Sequence, residues 1–555
     1  MEYVKAGIHR IDFALFVILA VLFALAGCGG AEVAPPDGST DAVTEQDADA
    51  GPGDDGGQTD DGGLGDDGAV DDGDDGGVGD DGGPGDDGGP GDAPEDGTAP
   101  DADGGAGDGD GDTENVCYPA PFTPPNLTRG LSWVRANPMF ISGIVVSMGP
   151  PPAGFVHTYY DDFNASATHL WATGLPNEVA GWAAAGRADF RYVTWLDHNG
   201  NSAANGQLLG GVQPDAGRRI GYQVGDEPGQ TCPDSSYECA LGQLQHMANG
   251  VDAVRAADPD ALIYVNFNNH QHLAELLDYY AANVDGDVFS FDRYNRGWGE
   301  YEIMELVRRI ALEHDKPYWR YLEAFYDQSD PPPALNESDL RWSAFAGLLY
   351  GFTGHTWFIY TINPNNHINP VLFEAEADFN AQPTELWHLA AQINLELQHL
   401  GRVVSQLTSV DVRYIPDIAL AQPTGTRDWE PGAGADPFLS GVTVQTGSFI
   451  DVSLGFFRDD SGEHYLMVQN VSHDHGDFPT NLGGAATIRL TFEFACAGGA
   501  VSDTQVLFMN PATGEVEGLP LAESGAQRHL DLSLAPGNVA LLKYDSGLPF
   551  AEHQD

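Results

Sequence analysis

The chain has 555 residues, 42% of them hydrophobic, with 10 Trp, 20 Tyr and 26 Phe. That is more than one core organises, so two or more domains are expected. A formal charge of −61 opposes a nucleic-acid partner, because phosphates would be repelled, and five cysteines are too few for a disulfide-built scaffold.

The N-terminus reads as an export address over residues 1–28. Lys5 and Arg10 precede an unbroken apolar run from Phe13 to Ala26, and these fourteen residues are too few to span a bilayer comfortably as a mature helix. The run ends Leu25-Ala26-Gly27-Cys28. This resembles the lipobox of bacterial lipoproteins. The resemblance implies that Cys28 is lipidated and that the chain partners a lipid bilayer through it. Gly29 follows, where an Asp would signal inner-membrane retention. An outer-membrane lipoprotein of the bacterial cell envelope is therefore expected, surface-exposed or periplasmic.

Residues 29–115 are almost wholly Gly, Asp, Pro and Ala, and residues 31–116 carry 29 Asp and Glu with no Lys or Arg. Such a segment cannot bury enough apolar surface to offset its ordering entropy, so it is expected to be a disordered linker. Asp108, Asp110 and Asp112 have the look of a calcium loop. Thr113 and Pro119 stand where an EF-hand needs Gly and Glu, so no calcium site is expected.

From 116 to 406 short apolar runs alternate with helical patterns. The predicted strands are Phe140–Ser147, Ala167–Trp171, Phe190–Leu196, Ile220–Gly225, Leu262–Phe267, Val288–Tyr294, Tyr318–Ala324 and Thr356–Tyr360. The predicted helices are Val179–Ala185, Ala240–Ala257, Leu273–Asn283, Tyr301–Glu313, Ser338–Tyr350 and Thr384–Leu400. Eight strand–helix units in this length predict an α/β domain with a (β/α)8 TIM barrel. An open doubly wound sheet competes with this, but it would carry a Gly-rich phosphate loop after its first strand, and Ser147-Met148-Gly149-Pro150-Pro151-Pro152 is not one.

Chemistry on such a barrel sits at the C-terminal strand ends. In order these carry Trp171, Asp197 and His198, Asp226 and Glu227, Asn268 with His270, Asp292 and Tyr294, Glu323, and Trp357 with Tyr360. Carboxylates, amides and aromatic faces suit a hydroxyl-rich ligand such as a carbohydrate. The candidate substrate-binding residues are therefore Asp226, Tyr294, Trp357, Asp197, His198, Asn268 and Asp292.

The fourth strand closes on Gly225-Asp226-Glu227-Pro228 and the seventh on Leu322-Glu323-Ala324. This resembles the clan A glycoside hydrolases, barrels with an acid/base Glu after strand four and a nucleophilic Glu after strand seven. The resemblance covers the barrel, about half the chain. It implies a glycosidase that retains configuration, with Glu227 as acid/base and Glu323 as nucleophile, the latter oriented by a hydrogen bond from Tyr294. Glycoside cleavage needs such a pair, one carboxylic acid to protonate the leaving oxygen and one carboxylate on the other face. Many members read Asn where this chain has Asp226. An Asn donates to the sugar 2-hydroxyl, whereas an ionised Asp only accepts, which bears on substrate class and on activity. Other readings stay open. Glu227 before Pro228 suits a helix N-terminus, Glu323 could pair with Arg320, and the barrel could bind glycans without cleaving them.

His270 with His272, and His473 with His475, lack a third ligand at metal spacing, so neither metal nor cofactor is expected. Cys232 and Cys239 are expected to form a local disulfide at the rim of the site. Cys117 and Cys496 remain, with their pairing open. Past residue 407 helical periodicity stops. Predicted strands at Val410–Tyr414, Ile418–Ala421, Phe449–Arg458, His464–Asn470, Ala486–Phe494, Thr504–Asn510, His529–Leu534 and Asn538–Tyr544 make residues 407–555 an antiparallel β-sandwich. A monomer is expected.

Overall fold

The computed structural model describes residues 121–146, 159–171, 190–196, 216–294, 297, 299–327, 335–362, 368–374, 382–416, 423–446, 450–473 and 485–553. The export segment with Cys28, the linker, Cys117, Asp197, His198, the 179–185 helix and the 418–421 strand all lie outside these residues.

Eight parallel strands close into a barrel. They are β1 (Phe140–Val146), β2 (Thr168–Trp171), β3 (Tyr192–Leu196), β4 (Arg219–Asp226), β5 (Leu262–Phe267), β6 (Val288–Phe291), β7 (Tyr318–Glu323) and β9 (Gly354–Ile362). Each lies where a short apolar run predicted it. Alternate side chains along a strand face opposite ways, and the inward set fills the barrel in layers. Phe140, Val193, Leu262, Tyr264, Val288 and Trp319 form one buried cluster. Ile144, Trp195, Tyr321 and Ile359 form the next. Trp195 and Trp319 are thus interior packing.

A short helix, α1 (Arg129–Ala136), precedes β1 and is capped by the Thr128 hydroxyl, which accepts from the Leu131 N–H. Its Trp133 meets the Trp319 ring edge-on at 6.0 Å, so it covers the apolar end of the barrel. Eight residues are too few to register as a periodic pattern, and the sequence reading did not foresee it. The remaining described helices follow the strands: α2 (Tyr237–Ala257), α3 (Leu273–Asn283), α4 (Gly299–Glu313), α5 (Glu337–Tyr350) and α6 (Glu385–Val404). A small antiparallel pair, β8 (Phe325–Asp327) with β10 (Ile368–Pro370), was also unforeseen. It starts two residues after Glu323.

The C-terminal region is a β-sandwich of two antiparallel sheets. One has six strands, β11 (Thr408–Ile415), β13 (Val452–Arg458), β14 (His464–Asn470), β20 (Val539–Tyr544), β16 (Gln505–Met509) and β17 (Val516–Pro520) in that order. The other has four, β12 (Leu439–Thr446), β15 (Ala486–Phe492), β19 (Gln527–Leu534) and β18 (Ala522–Ser524). Leu454, Phe456 and Leu542 from the first sheet and Ile488, Leu490 and Leu532 from the second share one buried cluster. Helix α5 is buried nearly all round, the pattern of a helix covered on both sides. The His473 ring stacks on Trp342 of α5 at 4.4 Å and its Nδ1 lies 3.2 Å from Asp339.

Candidate active site

The site is built where β4 leaves the barrel. Gly225 has φ +97°, and a Cβ there would come 2.5 Å from the Met247 sulfur, so the strand can turn only through glycine. Two residues later Glu227 itself takes a positive φ of 44°, a conformation that costs a side-chain-bearing residue about 1–3 kcal/mol and persists only when its surroundings enforce it. The surroundings here are visible. The Glu227 N–H donates to the Asn266 carbonyl at 2.7 Å, and its carbonyl accepts from the Gln230 N–H at 3.0 Å. The Gly229 N–H donates to Gln243 Oε1 at 2.7 Å, and the expected Cys232–Cys239 disulfide forms, fastening the loop to α2. Helix α2 begins at Tyr237, ten residues past Glu227, so Glu227 is not a helix-terminal charge.

Inside the mouth a chain of polar groups crosses four strands. Asp226 Oδ1 accepts from Gln223 Nε2 at 2.9 Å and from Asn266 Nδ2 at 3.0 Å. The same Asn266 nitrogen donates to Asp292 Oδ1 at 3.1 Å, and Asn266 Oδ1 accepts from the Ser290 hydroxyl at 2.9 Å. The Tyr321 hydroxyl donates to Gln223 Oε1. Another neighbour, His169, is fully buried, and burial holds that imidazole down at about 3, so it is neutral at ordinary pH.

The Asp292 carboxyl is shifted by its surroundings. Burial pushes it up to about 6, and hydrogen bonds from Glu227, Tyr294 and Asn266 hold it back from rising further. A hydrogen bond between the Glu227 and Asp292 carboxyl groups requires a proton between them. Tyr294 is driven well above the ordinary phenol value, first by burial and then by the Asp292 charge, and stays a donor. This corrects one expectation: the Tyr294 hydroxyl serves Asp292, where Glu323 had been named. Its ring stacks on Phe358 at 5.6 Å and meets Phe325 edge-on at 5.1 Å.

Glu323 ends β7 with the same parity as the interior residues Trp319 and Tyr321, and is 7% exposed. Arg320 has the opposite parity and pairs with Glu300 outside the barrel, so the alternative ion pair with Glu323 is not formed. Asn268 lies just past β5, half-buried.

Trp357 requires a second correction. It faces the helix layer, fully buried, with Nε1 donating to Asn394 of α6 at 2.8 Å. Outward parity on β9 removes it from any ligand in the mouth. Conversely, Gln223, Asn266 and Ser290 were missed. Each is a polar residue inside an apolar strand run, the signal that would have marked them.

No protein-family model and no curated protein matches the chain. It is similar to a solved cycloisomaltooligosaccharide glucanotransferase from a Paenibacillus species, at 7% identity over 74% of this chain and 85% of that one, TM-score 0.43. It is also similar to the catalytic domain of xylanase C from Talaromyces cellulolyticus, at 10% identity over 74% and 98%, TM-score 0.36. A β-galactosidase from Marinomonas matches at 10% identity over 48% of this chain, TM-score 0.37, and the match spans 62% of that enzyme. These likenesses do not reach from fold to chemistry.

Proposed function

We propose that the barrel is a glycoside hydrolase acting on a poly- or oligosaccharide, with Glu227 as acid/base and Glu323 as nucleophile in a retaining double displacement. The observation that carries this reading is the Glu227–Asp292 carboxyl pair. It combines a strained backbone at Glu227 with a neighbour whose acidity is shifted to about 6, and Asp292 follows β6, the strand beside β7 with its inward Glu323. Two carboxyls in unlike environments are what acid/base chemistry at a glycosidic bond requires.

In this mechanism Glu227 holds a proton supplied within the pair and delivers it to the leaving oxygen. The inward Glu323 attacks the anomeric carbon and forms a glycosyl ester. Glu227, now ionised, takes a proton from water, which hydrolyses the ester and restores the starting state. Asp226, ionised and held by Gln223 and Asn266, offers an acceptor to a substrate hydroxyl or amide. Asp292 receives part of the proton's charge and so keeps Glu227 a donor.

The test is turnover of an activated aryl glycoside and of natural oligosaccharides by wild type, Glu227→Gln and Glu323→Gln. A glycan-binding protein without catalysis gives no turnover in any of the three. An experimental structure tests the stereochemical part. Retention needs the Glu227 and Glu323 carboxyls about 5–5.5 Å apart, and inversion about 6.5–9.5 Å.

We propose, from the lipobox resemblance, that Cys28 carries the lipid that anchors the protein to a bacterial envelope membrane. Cys28→Ser should move the protein from the membrane to the soluble fraction.

A further inference from the structure

Asn266 is 2% exposed and lies between two carboxylates. Its amide nitrogen has two hydrogens, and the structure directs them to two acceptors, Asp226 Oδ1 at 3.0 Å and Asp292 Oδ1 at 3.1 Å. Which way round the amide sits is settled by a third bond, the Ser290 hydroxyl donating to Asn266 Oδ1 at 2.9 Å. Reversed, the carbonyl oxygen would face both carboxylates and the amino group would face a hydroxyl already well placed to donate. Asp226 receives a second amide hydrogen on the same oxygen, from Gln223 at 2.9 Å, and Gln223 is oriented in turn by the Tyr321 hydroxyl.

The two ends of this chain therefore differ. Asp226 faces two amide donors, which favour its ionised form. Asp292 faces a single amide donor, the Tyr294 hydroxyl and the Glu227 carboxyl. At the Glu227 end an acidic proton has two carboxyl groups to bridge. The titratable groups facing Asp292 are Glu227 and Asp226 from the end of β4, Tyr294 beyond β6 and Tyr321 from β7.

We propose that Asn266, oriented by Ser290, is a positioning residue that keeps Asp226 ionised and so confines the site's mobile proton to the Glu227–Asp292 pair. Its role in turnover rests on the glycosidase reading, but its effect on where the proton resides does not.

The experiment is a titration of the full-length protein with carbon-13-labelled Asp and Glu carboxyls, followed by NMR in wild type, Ser290→Ala and Asn266→Asp. Ser290→Ala frees the amide to reverse, and is small enough for the fold to tolerate. Asn266→Asp is nearly isosteric and replaces the two donors with a third acid. In wild type the Asp292 signal should titrate near pH 6 and Asp226 well below it. In Ser290→Ala, both should move upward, Asp226 by about one unit. In Asn266→Asp, Asp226 should no longer be ionised throughout the range in which Asp292 titrates.

Unchanged Asp226 and Asp292 midpoints in both variants overturn the proposal. If Asn266→Asp is poorly folded, Ser290→Ala alone decides it. The pH–rate profile adds a second readout. A merely structural role lowers kcat evenly across pH, whereas positioning moves the profile's midpoint with KM nearly unchanged. If wild type turns over no glycoside while the midpoints move as stated, the glycosidase reading fails and the positioning role stands.

Discussion

Buried charge is handled in two ways in this molecule. In the sandwich, two buried charged groups are held by fixed partners. Asp436 accepts from the Phe438 and Leu439 N–H groups and from the Tyr544 hydroxyl. Lys543, 1% exposed, donates to Glu463 at 2.7 Å, to Ser546 at 3.2 Å and to the Leu548 carbonyl at 3.0 Å. At the barrel mouth, carboxyl groups meet one another, and the described network brings amides, hydroxyls and a shared proton in place of a cation. A saturated site has no proton to give. Carboxyls that share a proton are able to give one, and the proposed chemistry at the mouth uses that difference.

Four measurements break or sharpen this contrast. The largest expected effect is on turnover: Glu323→Gln should cut kcat on every glycoside by roughly a thousandfold or more, with the thermal midpoint nearly unmoved. An even, small loss on all substrates would remove Glu323 from the chemistry. In the sandwich the reverse is expected. Lys543→Ala leaves Glu463 buried without its cation and should cost about 3–5 kcal/mol of stability in a denaturant titration, with the pH–rate profile of the remaining folded protein unchanged.

Asp292→Asn should change the pH dependence of stability. The folded state holds the Asp292 proton up to about pH 6, while the unfolded chain releases it near the ordinary Asp value. Stability from this group therefore falls as pH rises through that window, by an amount on the order of 3 kcal/mol. The variant should lose that slope and gain on wild type as pH rises from about 4 to about 6. A constant offset across the range would mean Asp292 titrates normally. The smallest effect is reserved for Glu227→Gln on an aryl glycoside with an acidic phenol, where protonation of the leaving group is hardly needed. A loss of a few fold there, against about a hundredfold to ten-thousandfold on a natural oligosaccharide, separates proton donation from general damage. Equal losses would refute the acid/base role.

The barrel was legible because its information is local and repeated. Leu262–Phe267 and Leu273–Asn283 are apolar runs with clear punctuation, and both elements form with those bounds. The strand-end positions of Glu227 and Glu323 were also legible, since Gly225-Asp226-Glu227-Pro228 and Leu322-Glu323-Ala324 each close a predicted strand without reference to the rest of the chain. Side-chain direction was not. Trp357 was expected at the substrate because it is an aromatic residue on the eighth barrel strand. Thr356 faces inward to Ser142 at 2.9 Å, and strand alternation then sends Trp357 to the helices. The partner of Tyr294 was equally unreadable. Whether its hydroxyl reaches β7 or its own strand's Asp292 depends on a few ångströms of loop path that residue types do not encode. Asn266 and Ser290 are ordinary residues until the register of β5 against β6, with Asn266 opposite Ser290, puts them side by side.

The backbone at Glu227 has a practical consequence for engineering. A residue with a side chain in the left-handed region is one that glycine or asparagine would occupy with less strain. A campaign that selects variants for heat resistance alone would therefore reward substitutions at position 227 and, in doing so, discard the proposed proton donor. Any library aimed at a hardier form of this protein should hold that codon fixed, and should seek its gains in the sandwich or the outer helices, where a more stable residue does not displace a working one.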